Sequence, residues 1–323
     1  MCCVRFAPQL TQTVRPLSEN SMELDKIITG DSAVVLQSFS PDCIDLTVTS
    51  PPYDNLRTYN GFTFDFETIA RELFRVTKVG GVVVWVVGDA SKDGSETGTS
   101  FRQALYFMEC GFNLHDTMIY QTKKLPYNHN RYEQCFEYMF VFSKGKPKTF
   151  NPIMEDTKGV GKVNTYNSNG ASGKKESNSK HSKKESKSYE TLSKRIKDNI
   201  WFYWSGAGSS SSDKIAYDHP AIFPEALAND HIESWSNPGD VVLDCFCGSG
   251  TTPKKAKELS RHYIGIEISP EYVTLAEKRL LATNVPLFSI GRGLTPREPD
   301  NGDSAPSQAF STPDFLSDLE GLS

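Results

Sequence analysis

No run in the 323 residues approaches the roughly 18 uninterrupted apolar positions that a membrane-spanning helix requires; the longest, Val82 to Val87, has the length of a strand. The opening MCCVRFAPQL lacks the charged start and following apolar stretch of a secretory signal, so a cytoplasmic protein is expected. Cysteine is sparse and odd in number. Seven thiols in scattered contexts make no disulfide framework and read as reduced. Cys2-Cys3 and Cys245-x-Cys247 would each supply half of a metal site, but no second Cys/His pair stands at finger-like spacing, and no metal is expected. The length excludes a disulfide miniprotein and suffices for one large α/β domain or two ordinary ones. Net charge is also small, −5, but it conceals an asymmetry: Ala171 to Ile200 holds nine Lys or Arg against four Asp or Glu.

What is present alternates. Ile44 to Thr49 (IDLTVT) reads as a buried strand, closed by Ser50-Pro51-Pro52, which cannot continue a sheet ladder. Phe66, Ile69, Leu73 and Val76 recur at helical intervals between Asp65 and Lys78, Gly80-Gly81 stops that helix, and GVVVWVVG continues as a strand. A helix over Ser100 to Cys110 and strands near Leu114 to Gln121 and Phe136 to Phe142 follow. In the second half Asp240 to Phe246 and His262 to Ile268 read as strands, with helices from Thr251 and over Pro270 to Leu281, the latter starting on Pro. This alternation predicts an α/β fold on a mostly parallel sheet. Between the halves, Gly159 to Asp213 turns to Ser, Lys, Asn and Gly, the composition of a linker or mobile insert outside the core; Ile200-Trp201-Phe202-Tyr203-Trp204 is an aromatic cluster able to anchor it. The resulting organisation is a disordered arm (1–21), a first half (22–158), a basic low-complexity insert (159–214), a second half (215–288) and a disordered acidic tail (289–323).

Two segments carry chemistry. In DCFCGSGTT, Asp244 to Thr252, Gly248 and Gly250 stand between a strand and a helix, where the backbone can approach a ligand and helix-terminal N–H groups face it. Glu267, 19 residues beyond Gly248 at the end of the next strand, is placed for the hydroxyls of a ribose. The third glycine of a dinucleotide fingerprint is missing, since Pro253 stands there. In Ser50-Pro51-Pro52-Tyr53 a rigid turn at a strand end offers a hydroxyl, a carbonyl and an aromatic face. The plain alternative is a turn with Tyr53 packed in the core. The chemical reading is a pocket for a planar amine: Ser50 Oγ and the Pro51 carbonyl accept its two N–H hydrogens and so orient a delocalised lone pair, while Tyr53 stacks on the ring.

With these segments the chain resembles the β group of amino-methylating DNA methyltransferases, which use S-adenosyl-L-methionine (AdoMet). SPPY is similar to their catalytic box, Phe246-Cys247-Gly248-Ser249-Gly250 with Asp244 and Thr251 to their donor loop, and Ile266-Glu267 to their ribose acid. Gly30-Asp31-Ser32 resembles the element whose Asp reaches adenine, and HPAIFPE, with His219, Pro220 and Phe223, resembles the segment that cups the methionine end. Glu137 to Lys144 is similar to the strand walling the base pocket. Individually, Asp31 would equally cap a helix, His219-Pro220 would equally be a loop, and Glu137 would equally be a surface charge.

The resemblance implies a Rossmann-like sheet in circularly permuted order, catalytic box before donor loop, with a variable target-recognition insert. It implies methyl transfer to cytosine N4 in duplex DNA by base flipping, because the box opens with Ser50 where relatives acting on adenine N6 usually carry Asp. No Pro-Cys dipeptide exists for the covalent route to carbon 5. Lys174, Lys175, Lys183 and Lys184 of the insert, with Lys124 and Arg131, would meet phosphate or equally be solvated. Double-stranded DNA is the implied partner and no membrane is; a cognate restriction endonuclease and a homodimer stay open, in a bacterial, archaeal or phage-infected cell. The competing readings are adenine N6 as the target, a catalytically silent DNA-binding protein, and a nicotinamide-dependent dehydrogenase, which leaves SPPY unexplained.

Overall fold

Every residue from Ile44 to Thr49 is buried, as in a strand covered on both faces, and this strand lies near the middle of an eight-stranded sheet. The computed structural model describes residues 23–52, 64–122, 132–158, 160–167, 186–190, 192–206, 209–211, 213–219, 222 and 224–283. In chain order the first half holds β1 (Lys26–Thr29), α1 (Ser32–Val35), β2 (Ile44–Thr49), α2 (Phe66–Val76), β3 (Thr77–Val87), a short hairpin of β4 (Ser91–Lys92) and β5 (Ser95–Glu96), α3 (Thr99–Glu109), β6 (Asn113–Gln121) and β7 (Phe136–Ser143). Then come β8 (Met154–Asp156), β9 (Val163–Asn167), β10 (Ser186–Glu190), β11 (Lys194–Ile196), β12 (Ile200–Phe202), α4 (Glu225–Trp235), β13 (Val241–Asp244), α5 (Thr251–Glu258), β14 (His262–Glu267) and α6 (Pro270–Ala282).

The strand order is β1-β14-β13-β2-β3-β7-β6-β12. Only β7 runs against its neighbours in this sheet; every other neighbouring pair is parallel. Alternate residues of β3 divide the core. Val83, Trp85 and Val87 face α1, α2 and α3 together with Leu73, Phe107, Phe142 and Ile266, while Val82, Val84 and Val86 face α4, α5 and α6 with Leu227, Ile232, Ala256 and Leu280. The α/β fold class on a parallel-rich sheet is therefore present as three layers.

Local chemistry explains where boundaries differ from expectation. α2 is capped by Asp65, whose Oδ1 accepts from Thr68 N at 3.1 Å, and it ends at Val76, because Thr77 turns extended. Gly80 and Gly81 do not stop it; they lie inside β3, and Gly80 N donates to the Lys144 carbonyl of the neighbouring hairpin. α4 was not foreseen, since its sequence EALANDHIESW mixes polar residues into the buried face, His231 and Ser234 included.

The segment 159–214 also needs correction as a stretch outside the core. β12 joins the sheet beside β6, with Ile200, Trp201 and Phe202 opposite Ile119, Tyr120 and Gln121. Trp201 and Tyr203 are buried against α4, the anchoring that the aromatic cluster suggested. β9 pairs with β10 and β11 with β8 as two antiparallel ladders, and Ser210 and Ser211 are buried. Small and polar residues here reach the core because the body supplies their hydrogen-bond partners. The expected arm, tail and insert centre fall outside the described residues.

Candidate active site

The winding of the sheet creates a crevice. From β2 the chain moves to β3 on one side, and from β13 to β14 on the other, so the loops leaving the adjacent carboxyl ends of β2 and β13 part from each other. Across that edge the order is Asp31 after β1, Glu267 ending β14, the glycine loop after β13, and Ser50-Pro51-Pro52 after β2.

The glycine loop cannot hold its own shape. Gly248 and Gly250 have φ of +49° and +79°, and a Cβ on Gly248 would stand 2.9 Å from the His219 ring. Such a conformation suits glycine. Outside contacts fix it: Gly248 N donates to Glu267 Oε2 at 2.9 Å, Cys247 N to the Ile266 carbonyl at 3.0 Å, and Gly250 N back to the Cys247 carbonyl at 2.7 Å. Glu267 Oε1 accepts from Ser269 N at 2.9 Å. Burial raises its carboxyl pKa, and a carboxylate with one backbone donor on each oxygen keeps lone pairs for two further hydroxyls.

Asp244 ties this loop to the catalytic box. Its Oδ1 accepts from Thr49 Oγ1 at 2.6 Å and from Phe246 N at 3.1 Å, while Thr252 Oγ1 donates to the Val48 carbonyl at 3.1 Å. Asp244 is 1% exposed, its Oδ2 has no hydrogen-bond partner among the described residues, and burial pushes its pKa up to about 6. Thr49 directly precedes Ser50, so one carboxylate sets the spacing between box and loop. Pro51 is buried, and Ser50 and Pro52 are half-buried.

Asp31 caps α1 through Oδ1, which accepts from Ala33 N at 2.8 Å, and stays partly exposed at the edge. Ser32 Oγ donates to the Cys245 carbonyl, so Ser32 braces the loop from behind. Phe246 packs edge-on against Phe64 and Trp85. His219 stacks near Tyr272, with ring centroids 4.3 Å apart. Cys247, Ser249 and Thr251 are buried under the loop. The structure thus brings together Asp31, Ser32, Ser50, Pro51, Pro52, His219, Asp244, Phe246 to Thr251 and Glu267. Tyr53, Lys124, Arg131, Lys174, Lys175, Lys183, Lys184, Pro220 and Phe223 lie outside the described residues.

Sequence reasoning missed the ionic cluster behind the loop. Arg279 of α6, its side chain 0% exposed, donates through Nη1 to the Ser249 carbonyl at 2.6 Å and through Nη2 to Glu225 Oε1 at 2.8 Å. Lys254 of α5 bridges Asp213 Oδ2 at 2.7 Å and Glu225 Oε1 at 2.8 Å. Burial alone would raise the Glu225 carboxyl, but the Lys254 and Ser211 hydrogen bonds and the Arg279 charge outweigh it and lower the pKa to about 2. A signal existed: Arg279 falls on the same helical stripe as Val273, Ala276 and Leu280, where a charge needs a buried partner.

The sequence model of the N6/N4 DNA methylase family matches residues 44–278. The orphan methyltransferase M.BamHII of Bacillus amyloliquefaciens is 56% identical over 247 residues, covering 74% of this chain and 89% of its own. Among solved structures, the PvuII DNA methyltransferase (cytosine-N4-specific) superposes with a TM-score of 0.57 at 24% identity over 82% of this chain and 89% of its own. The M1.HpyAVI–SAM complex does so at 0.51 and 24% over 79% and 98%. These two likenesses speak for the shared fold. With the family match spanning both the Ser-Pro-Pro turn and the glycine loop, the chain belongs to the N6/N4 DNA methylase family.

Proposed function

We propose that this protein is a site-specific DNA methyltransferase that moves the methyl group of AdoMet to the exocyclic N4 nitrogen of a cytosine flipped out of duplex DNA, within a restriction-modification or phage-type modification system. The observation that carries the reading is the adjacency of the Ser-Pro-Pro turn and the glycine loop on neighbouring strands, tied by the Thr49–Asp244 hydrogen bond.

The crevice suits an adenosyl donor. Glu267, fixed by two backbone donors, retains lone pairs for the ribose hydroxyls, Asp31 at the next strand end serves the adenine amino group, and Gly248 leaves room where a Cβ would strike His219. When bound, the donor supplies a methyl group on a sulfonium sulfur, so that forming the new N–C bond breaks the C–S bond. The chain's own part is positional. Ser50 Oγ and the Pro51 carbonyl accept the two amino hydrogens and aim the nitrogen lone pair, and Tyr53 offers a stacking face to the base. Transfer is direct, and no enzyme–base bond is needed. Lys124, Arg131 and the lysines of the insert supply phosphate contacts on double-stranded DNA.

Cytosine is favoured because the box opens with Ser50. Digestion of DNA methylated by the protein, followed by mass spectrometry of the nucleosides, is expected to give N4-methylcytosine. N6-methyladenine would keep the mechanism and overturn the reading of Ser50; 5-methylcytosine would overturn the mechanism.

A further inference from the structure

Arg279 is the one described residue that joins the glycine loop to the two acids behind it. Its guanidinium is a rigid fork of five donors, so directions set on one side are transmitted to the other. Nε faces Asp213 Oδ2 at 3.2 Å and Nη2 faces Glu225 Oε1 at 2.8 Å and Ser211 Oγ at 3.2 Å. On the remaining side Nη1 donates to the Ser249 carbonyl at 2.6 Å, with Ser249 Oγ at 3.1 Å and Thr251 Oγ1 at 3.4 Å. Ser249 sits between the two left-handed glycines, at the point where the loop backbone has least support of its own.

The two acids differ in their setting. Glu225 is the first residue of α4 and is held by Lys254 as well as Arg279. Asp213 lies outside any helix, its side chain 32% exposed, at the end of the segment that follows the basic insert. Six residues on, past the 3-10 turn Lys214–Asp218, His219 packs against Gly248. This stretch therefore touches the glycine loop on both sides, through Asp213 and Arg279 at Ser249 and through His219 at Gly248. Losing Asp213 alone leaves Glu225 bridging both cations, so the cluster need not collapse.

We propose that Arg279 is a positioning residue for the donor loop, and that Asp213 couples it to the basic insert, making AdoMet and DNA bind interdependently. The proposal rests on the reading of the loop as the donor site and of the insert as a DNA contact. A ligand on the insert that settles the stretch 213–219 also settles the loop, and by reciprocity the donor raises DNA affinity by the same factor.

The test is isothermal titration of AdoMet into the full chain at fixed low salt, with and without a saturating short mixed-sequence duplex. In the unaltered protein the duplex is expected to tighten AdoMet binding about 5- to 30-fold, within the usual range of coupling between sites. Asp213→Asn should bring that factor below about twofold and Asp213→Glu should retain it, a contrast that a merely structural role would not produce. Arg279→Lys keeps the charge but not the fork, and should raise KM for AdoMet about tenfold with a smaller change in kcat. Equal coupling in Asp213→Asn and the unaltered chain, or none in either, overturns the proposal while leaving the donor site standing. Failure of the unaltered chain to bind AdoMet would overturn the donor reading itself, and failure to bind the duplex the reading of the insert.

Discussion

Ser50 and Asp244 stand on adjacent strands and do opposite kinds of work. Ser50 offers an acceptor to the reacting amine, so Ser50→Ala should lower turnover about 10- to 1000-fold, the range for one positioned hydrogen bond in a transition state, with AdoMet affinity unchanged by titration calorimetry. Asp244 is buried with one oxygen unpartnered, and its folded pKa is raised to about 6 from the ordinary 3.8. A raised carboxyl favours folding while it is protonated in both states, and that contribution is lost as pH rises through the folded value. Stability should therefore fall by about 3 kcal/mol between about pH 4 and pH 6 on account of this group. Asp244→Asn should remove that fall, as read from denaturant midpoints across the range. Glu225 runs the other way: lowered to about 2, it contributes stability above its ordinary range that disappears as pH drops toward 2.

Among the elements, the insert and α6 were read least completely. Lys174, Lys175, Lys180, Lys183 and Lys184 all lie between β9 and β10, which pair from Asn167 and Ser186 onward. Deleting 172–184 leaves both strands and a short connection. DNA affinity should fall, and the slope of log affinity against log salt should flatten by about one for every phosphate that is no longer neutralised. An unchanged slope would remove this stretch from the DNA interface. Composition identified the insert's polarity but not β12, because three residues carry too little period to mark a strand, and pairing with β6 is what makes them one. In α6 the helix itself was plain from Pro270 and the spacing of Val273, Ala276 and Leu280, yet Arg279 looked like an ordinary last-turn cation until its side chain proved fully buried.

For the whole molecule the ligand is the discriminating variable. At a concentration of 100 times its Kd, AdoMet should stabilise the folded chain by about 2.7 kcal/mol, seen as a raised Tm, and NADH should do nothing. Glu267→Ala should weaken AdoMet binding by about 1.5–3 kcal/mol, the scale of a hydrogen bond to a charged group, and lose most of the shift. A rise with NADH and none with AdoMet would favour a dehydrogenase on the same sheet. Among the described residues no helix is long and apolar enough to cross a membrane.

Local sequence was enough for what depends on near neighbours. Ser50-Pro51-Pro52 ends a strand because proline cannot continue the ladder, and Gly248 and Gly250 open a turn because only small residues take those angles readily. Spacing alone also put Glu267 at the end of the strand after the loop. Tertiary structure decided which of these meet. Thr49 and Asp244 are separated by 195 positions in the chain and hydrogen-bond only because the winding sets β13 beside β2. Burial of Arg279 likewise depends on Asp213, Glu225 and Ser249 arriving from three other parts of the chain. A residue's neighbours in sequence set its backbone, but the partner that makes a buried charge tolerable comes from the packing of distant elements.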